Sequence, residues 1–262
     1  MRVWLRIFFV GGLTSYRALF GFLSPAIFIP SLLVAPVFQV LLFAYIGRSA
    51  GAQSDEFYVV GNAIQYASIP CVFAMTQLIS EERQNRTLGF ILVSPAPRLA
   101  LFLGRALPVI VNAWFVSAFA FAVGSLLLDV DIQGSAFAPI ALVGAAAAFS
   151  CTGLGLFTAG IGLLVRETAV LSNVVFGLLL VFTGANVAIE DLPGWMQGVS
   201  ARLPFTRAIE AARRLADGES LADVAGLVAA EVLVGTIYAV AGFLFLVTLE
   251  TQSRKRATLE RA

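Results

Sequence analysis

Residues 136–164 read AFAPIALVGAAAAFSCTGLGLFTAGIGLL. No residue in this stretch is charged, and it is longer than the about 20 residues an α-helix needs to cross the hydrocarbon core of a bilayer. Within it Gly144, Ala148 and Thr152 recur at four-residue steps, and Ala159 follows Gly155 by four. Small residues at that spacing let helix backbones approach closely, which matters in lipid because hydrophobicity alone does not draw one helix to another. The stretch reads as a tightly packed spanning helix, its small face turned to neighbours inside the same protomer rather than to a dimer seam.

Five more apolar segments lie around it, at about 26–47, 57–79, 101–128, 169–188 and 226–249, and each is long enough to span. The fold class is therefore an all-α polytopic membrane protein with six transmembrane helices. Composition agrees: 59% of the 262 residues are hydrophobic and 13% charged, more apolar surface than a water-soluble domain of this size can hide. Ser24 and Pro25 suit the N-cap and first position of the first span. Pro70 and Pro108 fall inside spans two and three, where each frees a carbonyl and permits a kink.

Residues 1–24 carry Arg2, Arg6 and Arg17 among apolar residues spaced by three and four (Phe9, Leu13, Tyr16, Phe20, Leu23). That pattern predicts a helix lying in the membrane interface. Arg17 interrupts the run and no small-residue cleavage site follows, so a cleaved signal is not expected.

Six spans place both ends of the chain on one side. Twelve basic residues then fall on that side and five on the other (Arg48, Arg202, Arg207, Arg213 and Arg214). The positive-inside rule makes the first side cytoplasmic, so both termini are expected there, in the plasma membrane.

Absences narrow the function. With no His in the chain, no Ser-His or Cys-His pair, H-E-x-x-H zinc motif or haem-ligating His is available. Cys71 and Cys151 stand apart in apolar runs and read as small buried residues, not as a metal or redox pair. The only lysine, Lys255, has no glycine-rich loop before it, so the chain has no P-loop for ATP. A net charge of +1 gives no field that would attract nucleic acid.

Two connecting segments carry recognisable patterns. Between spans two and three, residues 80–95 read SEERQNRTLGFILVSP. Acidic residues open a short helix, Leu88, Ile91 and Leu92 form one apolar face, and Ser94-Pro95 stops it. Between spans five and six run Leu192-Pro193-Gly194-Trp195, Leu203-Pro204-Phe205-Thr206 and Ala211-Ala212-Arg213-Arg214-Leu215. Two short helices broken at Pro-Gly and Leu-Pro are expected there, with Trp195 and Met196 at the interface.

In their order and position these segments resemble the permeases of the type-2 ABC transporter family, a group of exporters that move drugs, natural products, polysaccharides or lipid-linked glycans. Arg86 stands where that family often has glycine. The resemblance implies a membrane subunit that is not itself an enzyme. It would pair with a second copy or a paralogue in membrane lipid, and with two cytoplasmic ABC ATPase subunits that hold ATP and Mg. Residues 81–98 would be the coupling loop, with Glu81, Glu82, Arg83, Arg86, Thr87 and Leu88 receiving the motion of the ATPase. Residues 189–225 would form an external gate, with Leu192, Pro193, Trp195, Pro204, Phe205 and Arg213 its key positions.

Gln39, Tyr45, Asn62, Gln65, Tyr66 and Asn186 are polar side chains within the spans that either line a substrate path or bond between helices. The apolar, aromatic-rich spans favour an amphipathic or lipophilic cargo, with a lipid-linked glycan or polysaccharide as the alternative. A channel or secondary transporter is the competing class, and Glu231 is the intramembrane ionisable residue it would use. Its position near the start of the last span predicts that it reaches the outer interface and carries no proton.

Overall fold

A computed structural model describes residues 10, 14, 29–77, 98–162, 164, 165 and 167–256. The expected interfacial helix, the Ser24-Pro25 start and the 80–95 segment lie outside the described residues, save Val10 and Thr14. Every regular element described is helical. Five helical stretches are long and apolar enough to span: Leu32–Ala50, Asp55–Gln77, Gly104–Leu127, Gly134–Gly162 and Leu221–Thr248.

In chain order the α-helices are α1 (Ala35–Ala50), α2 (Asp55–Gln65), α3 (Arg98–Leu127), α4 (Phe137–Gly162), α5 (Thr168–Phe182), α6 (Gly194–Ser200), α7 (Thr206–Ala216) and α8 (Leu221–Arg256). The turn between α1 and α2 follows from local chemistry. Gly51 takes the left-handed conformation (φ 61°) that closes α1. Ser54 accepts the Phe57 amide at 3.3 Å and Asp55 and Glu56 occupy the first turn of α2, where the helix dipole favours them. Arg48 pairs with Asp55 across the turn. Beyond α2 the second span continues through a π-helical turn at Ile69–Phe73 that contains Pro70, the local adjustment a proline in a span requires. Pro108 is accommodated within α3.

The fourth span is the hub. It makes its most extensive contact with α8, and its small residues are the reason. A Cβ on Gly153 would stand 2.3 Å from the Gly235 carbonyl oxygen, and one on Gly155 would stand 2.4 Å from the Cys71 carbonyl oxygen. Gly235 in turn lies against the backbone of Ser150, and Gly242 against that of Phe157. The small face of span four thus packs within the protomer, as its spacing predicts. Cys71 and Cys151 are buried free thiols.

The fifth span departs from the expected 169–188. Its helix has 15 residues and ends at Phe182, about 22 Å of helix against about 30 Å of hydrocarbon. The Thr183 hydroxyl bonds back to the Leu179 carbonyl, and Gly184 then turns the chain with φ 82°. Residues 183–185 continue as buried irregular chain. Lipid tolerates such backbone only where protein covers it, and here the second span does so. The last span also begins earlier than expected, at Leu221, after Ser220 bonds through both its amide and its hydroxyl to Asp223.

Candidate functional site

The connections after α1, α3 and α5 gather at one end of the bundle. Gln53 and Arg214 line one cavity there, and Gln133 approaches Gly218 at about 4 Å. Immediately inside this end, four side chains from three spans form a carboxamide cluster. Gln39 Nε2 donates to Asn62 Oδ1 at 3.2 Å and to Gln65 Oε1 at 2.8 Å. Asn62 Nδ2 donates to the Tyr58 carbonyl at 3.1 Å and to Asn186 Oδ1 at 3.0 Å. Asn186 Nδ2 reaches the Leu180 carbonyl at 3.2 Å. Asn62 and Gln65 are fully buried, while Gln39 and Asn186 are half-buried.

The other two predicted path residues stand apart. Tyr45 is exposed on the outward face of α1, with the Arg48 guanidinium over its ring. Tyr66 is buried with Leu32 and Val116 in a separate apolar cluster.

Above the carboxamides lies α7, with α6 beside it. The breaks occur where Pro-Gly and Leu-Pro predict them. Pro193 caps α6, and Phe205 precedes α7 with φ 73°, a left-handed conformation that costs a bulky residue free energy and persists only where packing enforces it. Leu192, Pro204 and Phe205 are buried. Trp195 is exposed, its ring edge-on to Phe182, an orientation suited to a membrane interface. One face of α7 is packed down through Ala208, Ile209, Ala211, Ala212 and Leu215.

Arg213 ties α7 to the cluster. Its Nη2 donates to the Phe57 carbonyl at 3.1 Å and to the Ala185 carbonyl at 3.3 Å, and its guanidinium carbon sits 3.4 Å from the centre of the Phe57 ring. Burial lowers its pKa to about 10, a shift partly offset by the Glu190 and Asp217 carboxylates. The group stays cationic at neutral pH. The folded side chain releases its proton before the unfolded one, so this group raises stability with increasing pH only above about 10. Gly61 makes the arrangement sterically feasible, because a Cβ there would meet the Ala185 oxygen at 2.6 Å and Arg213 Nη2 at 2.7 Å. A cavity of about 540 Å³ lies between the start of α2, the Thr183–Glu190 chain and α7, with Arg213 in its wall.

Glu231 departs from expectation. Its side chain does not reach solvent. It is fully buried, and its Oε1 accepts the Phe205 amide at 2.7 Å. Sequence reasoning placed it by counting residues along the last span, and missed that the loop before that span folds back over it. Phe57 and Ala185 were missed for a related reason: they act through a backbone carbonyl and a ring face, which no residue type signals. Gly61, a glycine in an apolar span, was the one available hint. The predicted coupling residues Glu81, Glu82, Arg83, Arg86, Thr87 and Leu88 lie outside the described residues.

The family pattern described as ABC-2 type transporter matches residues 22–215, most of the chain and both patterned connections. The chain belongs to the ABC-2 type transporter family. Two relatives, from Escherichia coli (strain K12) and Escherichia coli O157:H7, both bear the name "Probable multidrug ABC transporter permease YbhR". Each is 27% identical over 153 residues, covering 55% of this chain and 39% of the relative. The aligned region thus spans well under half of either relative. As an ABC-2 transporter chain, this protein is a multi-pass membrane subunit, and its carboxamide cluster and all but the last residue of α7 lie within the matched residues.

Proposed function

We propose that the chain is the membrane-spanning subunit of an ATP-driven exporter that carries an amphipathic or lipophilic compound outward from the cytoplasm or the inner leaflet. The observation that carries this reading is the carboxamide cluster of Gln39, Asn62, Gln65 and Asn186. Carboxamides in a span are costly unless paired. Here they satisfy one another, while half-buried Gln39 stands on a helix whose neighbouring Phe38 and Leu42 are exposed. Such a wall offers a few hydrogen bonds within an apolar surface, which matches a compound of mixed polarity. The name of the Escherichia coli relatives supports the same class of cargo. In this reading both termini are cytoplasmic, α6 and α7 close the outer end, and a second permease completes the path. Two separate ATPase subunits supply ATP and Mg. Leu192, Pro193, Trp195, Pro204, Phe205 and Arg213 belong to the gate.

The test uses the permease with its ATPase in proteoliposomes and ethidium as the probe. Gln39→Leu removes the half-buried member of the cluster and should raise the KM for ATP-dependent ethidium transport roughly tenfold, the effect of losing about one good hydrogen bond. Unchanged ethidium transport in that variant, or ATPase stimulation by a lipid-linked glycan and none by ethidium, would remove the cargo assignment.

The 81–98 segment is proposed as the dock for the ATPase, on the strength of its acidic opening, one-sided apolar face and proline stop. Leu88→Asp combined with Glu82→Arg should weaken association with the ATPase, and its substrate-stimulated hydrolysis, by about tenfold or more. The permease melting temperature should hold, because the change lies outside the spans. Survival of both activities would transfer the coupling role to residues 165–168.

A further inference from the structure

Five buried side-chain polar atoms lack a hydrogen-bond partner among the described residues: Asn112 Nδ2, Ser150 Oγ, Arg207 Nη1, Arg213 Nε and Glu231 Oε2. All but Asn112 lie on α7 or at the carboxylate beneath its first turn. Arg207 and Arg213 are on α7 itself. The Ser150 hydroxyl and the Ala208 amide both lie within reach of the Glu231 carboxylate but outside good hydrogen-bond geometry, and the Arg207 guanidinium acts on it through space without forming an ion pair. Native structures leave few buried polar groups unpaired, so their concentration at one 11-residue helix calls for a cause. The only left-handed non-glycine residue at this helix, Phe205, adds backbone strain at the same place.

We propose that Glu231 is the positioning residue of the gate: it pins the corner at Phe205 and so holds α7 seated, in a position that hydration undoes. This rests on the reading of α7 as the outer gate. The seat is favoured by the buried apolar face of the helix and by two bolts, Glu231 on the Phe205 amide and Arg213 on the Phe57 and Ala185 carbonyls. It is opposed by the unpaired polar atoms and the strained corner. Lifting α7 toward water would hydrate both arginines and the Glu231 carboxylate and release the Phe205 backbone. The gate is therefore loaded toward opening, and a change at span six can release it because Glu231 belongs to that span. The pairing of Gly235 with the Ser150 backbone, one turn along α8 from Glu231, fixes the carboxylate relative to span four.

The mechanism predicts opposite effects from two substitutions. Glu231→Gln keeps an oxygen for the Phe205 amide, gives the Ser150 hydroxyl a donor, and removes the charge that seeks water. It should hold α7 down more firmly. Glu231→Ala removes the bolt and should free it. The readout is Ile209→Cys, a buried position under α7 on the cavity wall. A water-soluble maleimide is added to the permease–ATPase complex in nanodiscs, with and without ATP. The native thiols are fully buried and serve as the background control.

Labelling with ATP should slow about fivefold in Glu231→Gln, with the melting temperature equal to or above the parent's, and quicken about fivefold in Glu231→Ala; fivefold either way is a modest population shift. A residue with only a structural role would give faster labelling and lower melting temperature in both variants, and that result, or no change in either, overturns the proposal. Because labelling does not depend on cargo, divergent rates without ethidium transport would leave the latch standing and remove the transport reading. Ethidium transport with rates that do not diverge would do the reverse.

Discussion

Gly153→Leu is expected to leave no folded permease, and Gly153→Ala to lower the melting temperature by about 4–8 °C, the shift that about 2 kcal/mol of overpacking produces in a chain of this size. The Cβ of Gly153 would stand 2.3 Å from a backbone oxygen of Gly235, and 3.2 Å from the Ala239 nitrogen. Neither atom is the end of a flexible side chain, so the relief must come from moving one spanning helix away from another. That movement would also open the Gly235–Ser150 and Gly242–Phe157 approaches along the same seam. In lipid no hydrophobic penalty pushes separated helices back together, because acyl chains fill the gap as well as side chains do. Gly177 supplies the control. Nothing lies within 4 Å of a Cβ there, and alanine favours a helix interior over glycine by about 1 kcal/mol. Gly177→Ala should therefore match or exceed the parent in thermal stability. Equal melting temperatures for Gly153→Ala and Gly177→Ala in detergent would mean that the α4–α8 seam is looser than described.

Arg213→Met carries the second large effect, a loss of about 3 kcal/mol in the stability of the α7 end of the bundle. Two carbonyls lose their shared donor at about 1–3 kcal/mol for each one left dry, and the stacking on Phe57 goes with them. Removing a buried charge returns part of that cost. Arg213→Lys should rescue little, because an ammonium cannot at once lie flat on the ring and bridge two carbonyls. The Ala185 carbonyl adjoins Asn186, so the loss should reach the carboxamide cluster. Amide hydrogen exchange across 183–187 should quicken by about a hundredfold, the equivalent of about 3 kcal/mol of local opening. Full protection of those amides in Arg213→Lys would show that charge alone, not the planar fork, holds the segment.

Much of this was written locally. Uncharged runs of 20 or more residues announce spans wherever they occur, because lipid demands internal hydrogen bonding from every segment that enters it. The small residues of span four announce close packing, and Pro193-Gly194 with Leu203-Pro204 announce the breaks around α6 because proline and glycine act on their own backbone. The family pattern follows from the order of such features, and so it too was legible. The chain alone also listed the carboxamides, but not which of them meet. Tyr45 and Tyr66 have the same polar character as members of the cluster and yet face elsewhere.

Tertiary structure decided three things. It ended the fifth helix at Phe182, because Gly184 and the covering second span let irregular backbone run where lipid would forbid it. It placed Arg213 over Phe57 and beside Ala185, partners 156 and 28 residues away in the chain, through a carbonyl oxygen in each case. And it buried Glu231, which counting from the start of a span puts near water. The physical reason is common to all three. Depth and partnership in a membrane protein depend on what folds back over a residue, and a connection that returns into its own bundle changes both without altering the composition of any span.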